Sequence, residues 1–221
     1  MKILVVSTHP DDEVLGCGGL IARHTIRGDE VRVLIVTRGA EDIFDPRVIE
    51  TTRRELKKAH QLLGVKKVEF LDFPAPKLDG VPGHLLADAL SKSFITFKPD
   101  LLLLPHFGDL HSDHRAVFHA ALVAARPIHE NNINRIMCYE TLSETEWAPP
   151  YAADAFIPNV FVDISEFLTL KLEAMSCYQS QLKEFPHSRS IKALEALAHY
   201  RGASVHLNAA EAFSIVREII S

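Results

Sequence analysis

The chain has 221 residues, of which 47% are hydrophobic and 24% are charged. This balance is typical of a folded globular protein and excludes a largely disordered one. The net charge of −5 leaves no basic excess to neutralise a phosphate backbone, so a nucleic-acid binder is not expected. The three cysteines, at positions 17, 138 and 177, are too widely spaced for a disulfide framework. A reducing, cytoplasmic location fits this cysteine usage.

The apolar segments are too short to cross a bilayer. The longest, such as 101–105, have strand length, whereas a membrane helix needs about 20 residues. The apolar run 3–6 is followed by acidic residues instead of a signal-peptide cleavage site. We therefore expect neither a membrane span nor a secretion signal.

Strand and helix patterns alternate through the first two thirds of the sequence. Short apolar, β-branched runs predict strands at 3–6, 31–36, 68–71, 101–104 and 135–140. Helical spacing of apolar residues predicts helices at 14–27, 46–63, 84–97 and 113–125. Asp45 followed by Pro46 is typical of a helix start.

The pattern is less regular after about residue 141. We expect a short strand at 160–163, a helix from a Ser165 cap to Gln181, a helix from 191 to 200 and a last helix over 209–220. This part is expected to cover one edge and the mouth of the sheet. We expect the whole chain, 1–221, to form a single domain.

The alternation predicts an α/β fold, specifically a Rossmann-like three-layer α/β/α arrangement around a mostly parallel sheet. In the strand order 3-2-1-4-5, strands one and four are neighbours at the topological switch point. Two polar segments, 9–13 and 109–114, directly follow these two strands. We therefore expect both segments to face one ligand crevice at the carboxyl ends of the strands.

These two segments contain the residue types of a hydrolytic metal site. Imidazole and carboxylate groups bind catalytic zinc, usually as three protein ligands that leave one position open. Residues three apart in a turn can point the same way, so His9 and Asp12 can hold one ion, and His114 can supply the third ligand. We expect one Zn²⁺ per chain, although Fe²⁺ or Co²⁺ suits the same donors.

The remaining polar residues predict a division of catalytic roles. Asp11 lies between two ligands and stays free to act as general base. His111 can donate a hydrogen bond to an oxyanion, and Asp113 can hold a histidine ring in one tautomer. A general base, an oxyanion donor and a Lewis acid together predict amide hydrolysis.

The same residues resemble the LmbE/PIG-L family of zinc-dependent deacetylases. The resemblance rests on the run 9–13, on Gly16, Gly18 and Gly19 behind it, and on His111-x-Asp113-His114. It implies a Rossmann-like fold and removal of acetyl groups from N-acetylglucosamine-containing small molecules. It also implies that His9, Asp12 and His114 bind zinc, that Asp11 is the base, and that His111 and Asp113 assist.

The resemblance also suggests two substrate-binding residues. Family members often carry an arginine three residues before the glutamate that matches Glu55, but here that position is Thr52 and the arginine is its neighbour, Arg53. The variable active-site loop of the family corresponds to 186–189, where His187 is the candidate for an additional substrate contact.

Two other functions fit the same residues. An amidase could cleave a larger acyl group or a thiol conjugate from glucosamine with the same zinc chemistry. A nucleotide- or metal-binding module could use the crevice without turnover, although pure binding has no use for a free Asp11. Apolar segments such as 152–160 could also pack on a second subunit, so a homo-oligomer is kept as an alternative to a monomer.

Four further residues near the first motif invite a functional interpretation. Gly16, Gly18 and Gly19 do not have the spacing of a dinucleotide-binding turn, which favours close packing of a helix against the sheet. Cys17 is expected to be a buried, inert thiol because oxygen and nitrogen ligands already suffice.

Overall fold

A seven-stranded sheet forms the centre of the part of the chain that the computed structural model describes, residues 1–128 and 132–220. The strands are β1 (Lys2–Ser7), β2 (Glu30–Gly39), β3 (Lys67–Ala75), β4 (Leu101–Pro105), β5 (Arg135–Tyr139), β6 (Val160–Asp163) and β7 (Ala210–Glu218). Their order is β3-β2-β1-β4-β5-β7-β6. The first five pair in parallel, and β7 pairs antiparallel with β5 and β6.

Helices cover both faces of this sheet. They are α1 (Asp12–Ile26), α2 (Pro46–Leu62), α3 (Gly83–Phe97), α4 (Ser112–Ala124), α5 (Leu168–Ser176) and α6 (Ile191–Ala203). Alternate residues of β1 enter different cores: Ile3 packs in the layer with α1, α2 and α5, and Leu4 packs in the layer with α3 and α4. Burial on both faces explains why the central strands are continuously apolar.

The predicted α/β architecture is confirmed. The strand order 3-2-1-4-5 is present, and Asp45 caps α2 by accepting a hydrogen bond from the backbone N–H of Arg47 at 2.8 Å. None of the helices among the described residues has the length and apolar composition needed to cross a bilayer.

Two predictions for the C-terminal part are wrong. The segment 209–220 is not a helix: Ala210–Glu218 form strand β7, because tertiary pairing between β5 and β6 outweighs the local helix preference of alanine and glutamate. The helix expected from Ser165 to Gln181 is the shorter α5. Ser165 does not cap it, because its hydroxyl donates to Asp163 Oδ1 at 2.6 Å.

The glycines of α1 lie where other elements approach the helix closely. A Cβ at Gly16 would overlap the buried ring of Tyr139, and one at Gly19 would lie 2.6 Å from Ile164 Cγ2. Cys17 is fully buried between them. These glycines therefore allow close packing, as their spacing predicts.

Candidate active site

The loop after β1 and the loop before α4 meet at the carboxyl ends of β1 and β4. The two strands are paired in parallel, with Ile3 opposite Leu101 and Val5 opposite Leu103. Their ends therefore lie side by side, and the following loops approach each other. This is the crevice expected from the topology.

His9, Asp12 and His114 converge in this crevice. The distance from His9 Nδ1 to His114 Nε2 is 3.3 Å, and Asp12 Oδ2 lies 3.6 Å from the former and 3.2 Å from the latter. Asp12 and His114 are fully buried. The three groups together could hold one metal ion.

A carboxylate holds each of the two candidate ligand histidines, His9 and His114, through the ring nitrogen that faces away from the cluster. Asp109 Oδ2 lies 2.8 Å from His114 Nδ1, and Asp113 Oδ2 lies 3.2 Å from His9 Nε2. The backbone N–H of Leu78 donates to the other oxygen of Asp113, at 3.0 Å. Such carboxylates fix the tautomer and orientation of ligand histidines.

His111 is adjacent to the cluster but bonds differently. It is the N-cap of α4, where its Nδ1 accepts a hydrogen bond from the backbone N–H of Asp113 at 3.1 Å. This bond leaves the ring proton on Nε2. Burial and the neighbouring His9 and His114 lower the pKa of His111 to about 4, so the ring is neutral near pH 7.

Asp11 is a buried carboxylate beside this cluster and is not one of its three candidate ligands. It is 1% exposed and contacts Arg189, whose Nη1 donates to Asp11 Oδ2 at 3.0 Å. Burial raises the pKa of Asp11 well above its ordinary value, and the charges of Asp12 and Glu13 raise it further against the opposing effect of Arg189. A raised pKa suits a group that takes up and releases a proton near neutral pH.

Glu13 holds the strained backbone of Asp11 in place. Asp11 has a φ of 118°, which is costly for a residue other than glycine. Its N–H donates to Glu13 Oε2 at 3.0 Å, while His60 Nε2 and Tyr178 Oη donate to Glu13 Oε1 at 2.9 and 2.6 Å. Although burial opposes it, the bonds from His60 and Tyr178 hold the pKa of Glu13 below its ordinary value.

A cleft of about 220 Å³ opens from the candidate metal ligands to the surface. The polar residues of its lining include His9, Asp11, His111, Glu144 and Arg189. The apolar residues of its lining include Phe44, Val48, Ile49, Ala75 and Pro76. Burial raises the pKa of Glu144 to about 7. A small polar ligand with an apolar face fits such a lining.

Comparison with known proteins agrees with this geometry. A family model described as PIG-L, GlcNAc-PI de-N-acetylase, matches residues 4–125, which is more than half of the chain. The chain belongs to the PIG-L family. The resemblance of its motifs to LmbE/PIG-L proteins is thus confirmed.

The similarity to individual relatives extends beyond the first half of the chain. The chain is 30% identical over 197 residues to the diacetylchitobiose deacetylase of Thermococcus kodakarensis, covering 83% of this chain and 71% of that protein. It is also 30% identical over 191 residues to the uncharacterized deacetylase YaiS of Escherichia coli, covering 80% and 90%. The crystal structure of N,N'-diacetylchitobiose deacetylase from Pyrococcus horikoshii has the same fold, with a TM-score of 0.79, 24% identity, and 97% and 83% coverage.

The two substrate-binding candidates differ in their position in this PIG-L protein. Arg53 lines the cleft, where its guanidinium pairs with Asp72 and stacks 4.5 Å from the centre of the Phe70 ring. His187 is not among the cleft-lining side chains described. Its ring packs edge-on against Trp147, with the ring centres 5.5 Å apart.

Sequence reasoning missed three polar contacts of the site. Arg189 lies two residues after His187 and reaches Asp11, but no local pattern marks it. Asp109 stands in the second polar segment, and its spacing of five residues before His114 is the one available signal for its contact. Glu13 was assigned no role, although it stands inside the first motif.

Replacing Glu13 by glutamine is expected to destabilise the fold. In Glu13→Gln, the new amide nitrogen would face donors that now bond a carboxylate, so the free energy of unfolding should fall by about 3 kcal/mol. Urea denaturation measures this change. The exposed Glu184 provides a matched control, because Glu184→Gln should change the free energy by less than about 0.5 kcal/mol. Equal stability of the two variants would contradict the role of Glu13.

Proposed function

We propose that this protein is a zinc-dependent hydrolase that removes the N-acetyl group from an N-acetylglucosamine-type amino sugar or conjugate. The observation that carries the proposal is the convergence of His9, Asp12 and His114 beside the unligated Asp11. The diacetylchitobiose deacetylase among its relatives supports the substrate class.

The donors of the cluster suit a bound zinc ion. Two imidazole nitrogens, of His9 and His114, lie 3.3 Å apart beside Asp12. Asp12 Oδ1 is buried and has no hydrogen-bond partner among the described residues. An unpartnered buried carboxylate oxygen is costly unless a cation is nearby. Two nitrogens and one carboxylate are also a typical ligand set of catalytic zinc.

When bound, zinc polarises the amide carbonyl and lowers the pKa of water at the site. Asp11 takes the proton of the attacking water and passes it to the nitrogen of the leaving amine. Arg189 holds Asp11 Oδ2 in place, at 3.0 Å. His111 donates from Nε2 to the oxygen that becomes negatively charged. Asp109 and Asp113 keep the two ligand histidines oriented.

An amidase for a larger acyl group or a thiol conjugate is the second candidate. The apolar part of the cleft lining, which includes the exposed Phe44 and Val48, favours it. The chemistry at Asp11 and His111 would be the same, so only the size of the acyl group that is removed separates the two candidates.

Metal binding should depend on His114. We expect the purified protein to hold about one transition-metal ion per chain and His114→Ala to lose it, because the cluster then keeps only two ligands. Elemental mass spectrometry measures the metal content. The exposed His119 of the same helix is a matched control, and His119→Ala should retain the ion. A metal-free wild type, after zinc has been offered, would refute the proposal.

Catalysis should depend on Asp11 without a loss of metal. Asp11→Asn keeps the size of the side chain and removes the base, so kcat should fall by about 10²–10⁴-fold while the metal content stays unchanged. Acetate release from N-acetylated amino sugars is the assay, and the exposed Asp79→Asn variant is the control. Normal turnover by Asp11→Asn would exclude Asp11 as the base.

The dependence of kcat/KM on the length of the acyl group distinguishes the deacetylase from the amidase. In a site that fits an acetyl group, kcat/KM should fall by about tenfold or more from N-acetyl to N-propionyl glucosamine, and again from N-propionyl to N-butyryl glucosamine. The reason is that the site must make room for each added methylene group. Release of the free amine follows all three substrates in one assay. A higher kcat/KM for the longer acyl groups would favour the amidase instead.

A further inference from the structure

Two buried charged residues outside the active site bond to each other between the sheet and α1. Lys171 of α5 and Glu211 of β7 are 3% and 4% exposed. The distance from Lys171 Nζ to Glu211 Oε1 is 2.6 Å. Neither residue is among the described side chains that line the cleft, and the proposed reaction does not use them.

Both side chains bond to the backbone of α1 in the middle of the helix. Glu211 accepts hydrogen bonds from the N–H groups of Gly19 and Leu20, both at 2.7 Å. Lys171 donates to the carbonyl oxygen of Leu15 at 2.8 Å. In a regular helix, the N–H of Gly19 and the carbonyl of Leu15 bond to each other. Each of these two groups therefore has a side-chain partner of opposite charge.

The glycine-rich segment of α1 gives the two side chains access to the backbone. A Cβ at Gly18 would lie 3.0 Å from Cγ of Lys171, closer than ordinary packing allows. Gly19 itself is a donor to Glu211. These contacts give Gly18 and Gly19 a role that the candidate metal site does not give them.

The two charges complement the partial charges of the backbone groups that they contact inside the continuous helix α1. A cation near carbonyl oxygens and a carboxylate near N–H groups are both favourable interactions with a helix backbone. Lys171 thus stabilises the carbonyl group of Leu15. Glu211 stabilises the N–H groups of Gly19 and Leu20.

The first part of α1 carries the active-site acids. The N–H groups of Val14 and Leu15 donate to the carbonyl oxygen of Asp11, at 3.0 and 2.9 Å. Asp12 lies within the same turn. The peptide group that Lys171 holds is therefore one helical turn from Asp11 and Asp12.

We propose that Lys171 and Glu211 are positioning residues that fix the first turn of α1, and with it the places of Asp11 and Asp12. Stability alone does not account for a buried ion pair, since apolar residues of similar size are often as stabilising or more so. The connection to metal binding rests on the proposed function, whereas the effect on the backbone of α1 does not.

The test replaces both charges by apolar side chains of similar length, in Lys171→Met/Glu211→Met. The backbone groups of Leu15 and Gly19 then lose their charged partners, and the first turn of α1 can shift. We expect the zinc dissociation constant, measured by chelator competition, to rise about 10–100-fold. Amide hydrogen exchange within residues 12–16 should also become at least about tenfold faster, while exchange in β4 stays unchanged.

The ion pair between Arg201 and Glu140 is a matched control. This pair is partly buried and lies in the same part of the molecule, with Nη2 of Arg201 2.6 Å from Glu140 Oε2. Neither side chain bonds to α1 among the described contacts. Arg201→Met/Glu140→Gln should leave zinc affinity and exchange in residues 12–16 within about twofold of the wild type. An equal effect in this control would overturn the proposal.

Glu211→Gln provides a milder variant in case the double variant does not fold. It keeps one acceptor oxygen for α1 and should weaken zinc binding less than the double substitution. If either the double variant or Glu211→Gln folds and keeps both the zinc affinity of the wild type and its exchange rates in residues 12–16, the proposal is overturned. If the wild type bound no zinc, the proposed function would fail, and hydrogen exchange alone would still decide the role of the pair.

Discussion

The parallel pairing of β1 with β4 is the constraint on which the candidate site depends. Adjacent strands lie about 4.8 Å apart, so the loops that leave their carboxyl ends must approach each other. His9 and His114 are 105 positions apart in sequence, yet their ring nitrogens lie 3.3 Å apart. The pairing of Ile3 with Leu101 and of Val5 with Leu103 fixes how far each strand extends towards the site. The apolar strands therefore set the geometry of the polar site.

The candidate site contains several buried carboxylates, and the fold must compensate their negative charges. Asp11 faces Arg189, Asp109 faces His114, and Asp113 accepts hydrogen bonds on both oxygens. Asp12 differs, because its Oδ1 has no partner among the described residues. Burying a carboxylate is costly unless it is paired or bound to a metal. This uncompensated oxygen belongs to the carboxylate that would bind the proposed ion, whereas the other three carboxylates are compensated by groups of the protein.

The sequence predicted the part of the site that short segments and strand order determine. His9, Asp12 and His114 stand in two local motifs, and the alternating pattern brings those motifs together. The contact from Arg189 to Asp11 could not be predicted in this way, because it joins residues 178 positions apart and depends on an irregular loop. Strand β7 was missed because its alanine and glutamate residues favour a helix locally, and the open place between β5 and β6 is a property of the folded sheet.

The C-terminal part does more than cover the sheet, because several of its polar side chains reach the first motif or the groups that support the site. Arg189 contacts Asp11, Tyr178 contacts Glu13, and Thr145 donates to Asp109 at 2.6 Å. Glu211 acts further along α1. The match to the PIG-L family model ends at residue 125, before all four of these partners. The side chains that orient the first motif therefore come from a part of the chain that the family model does not match.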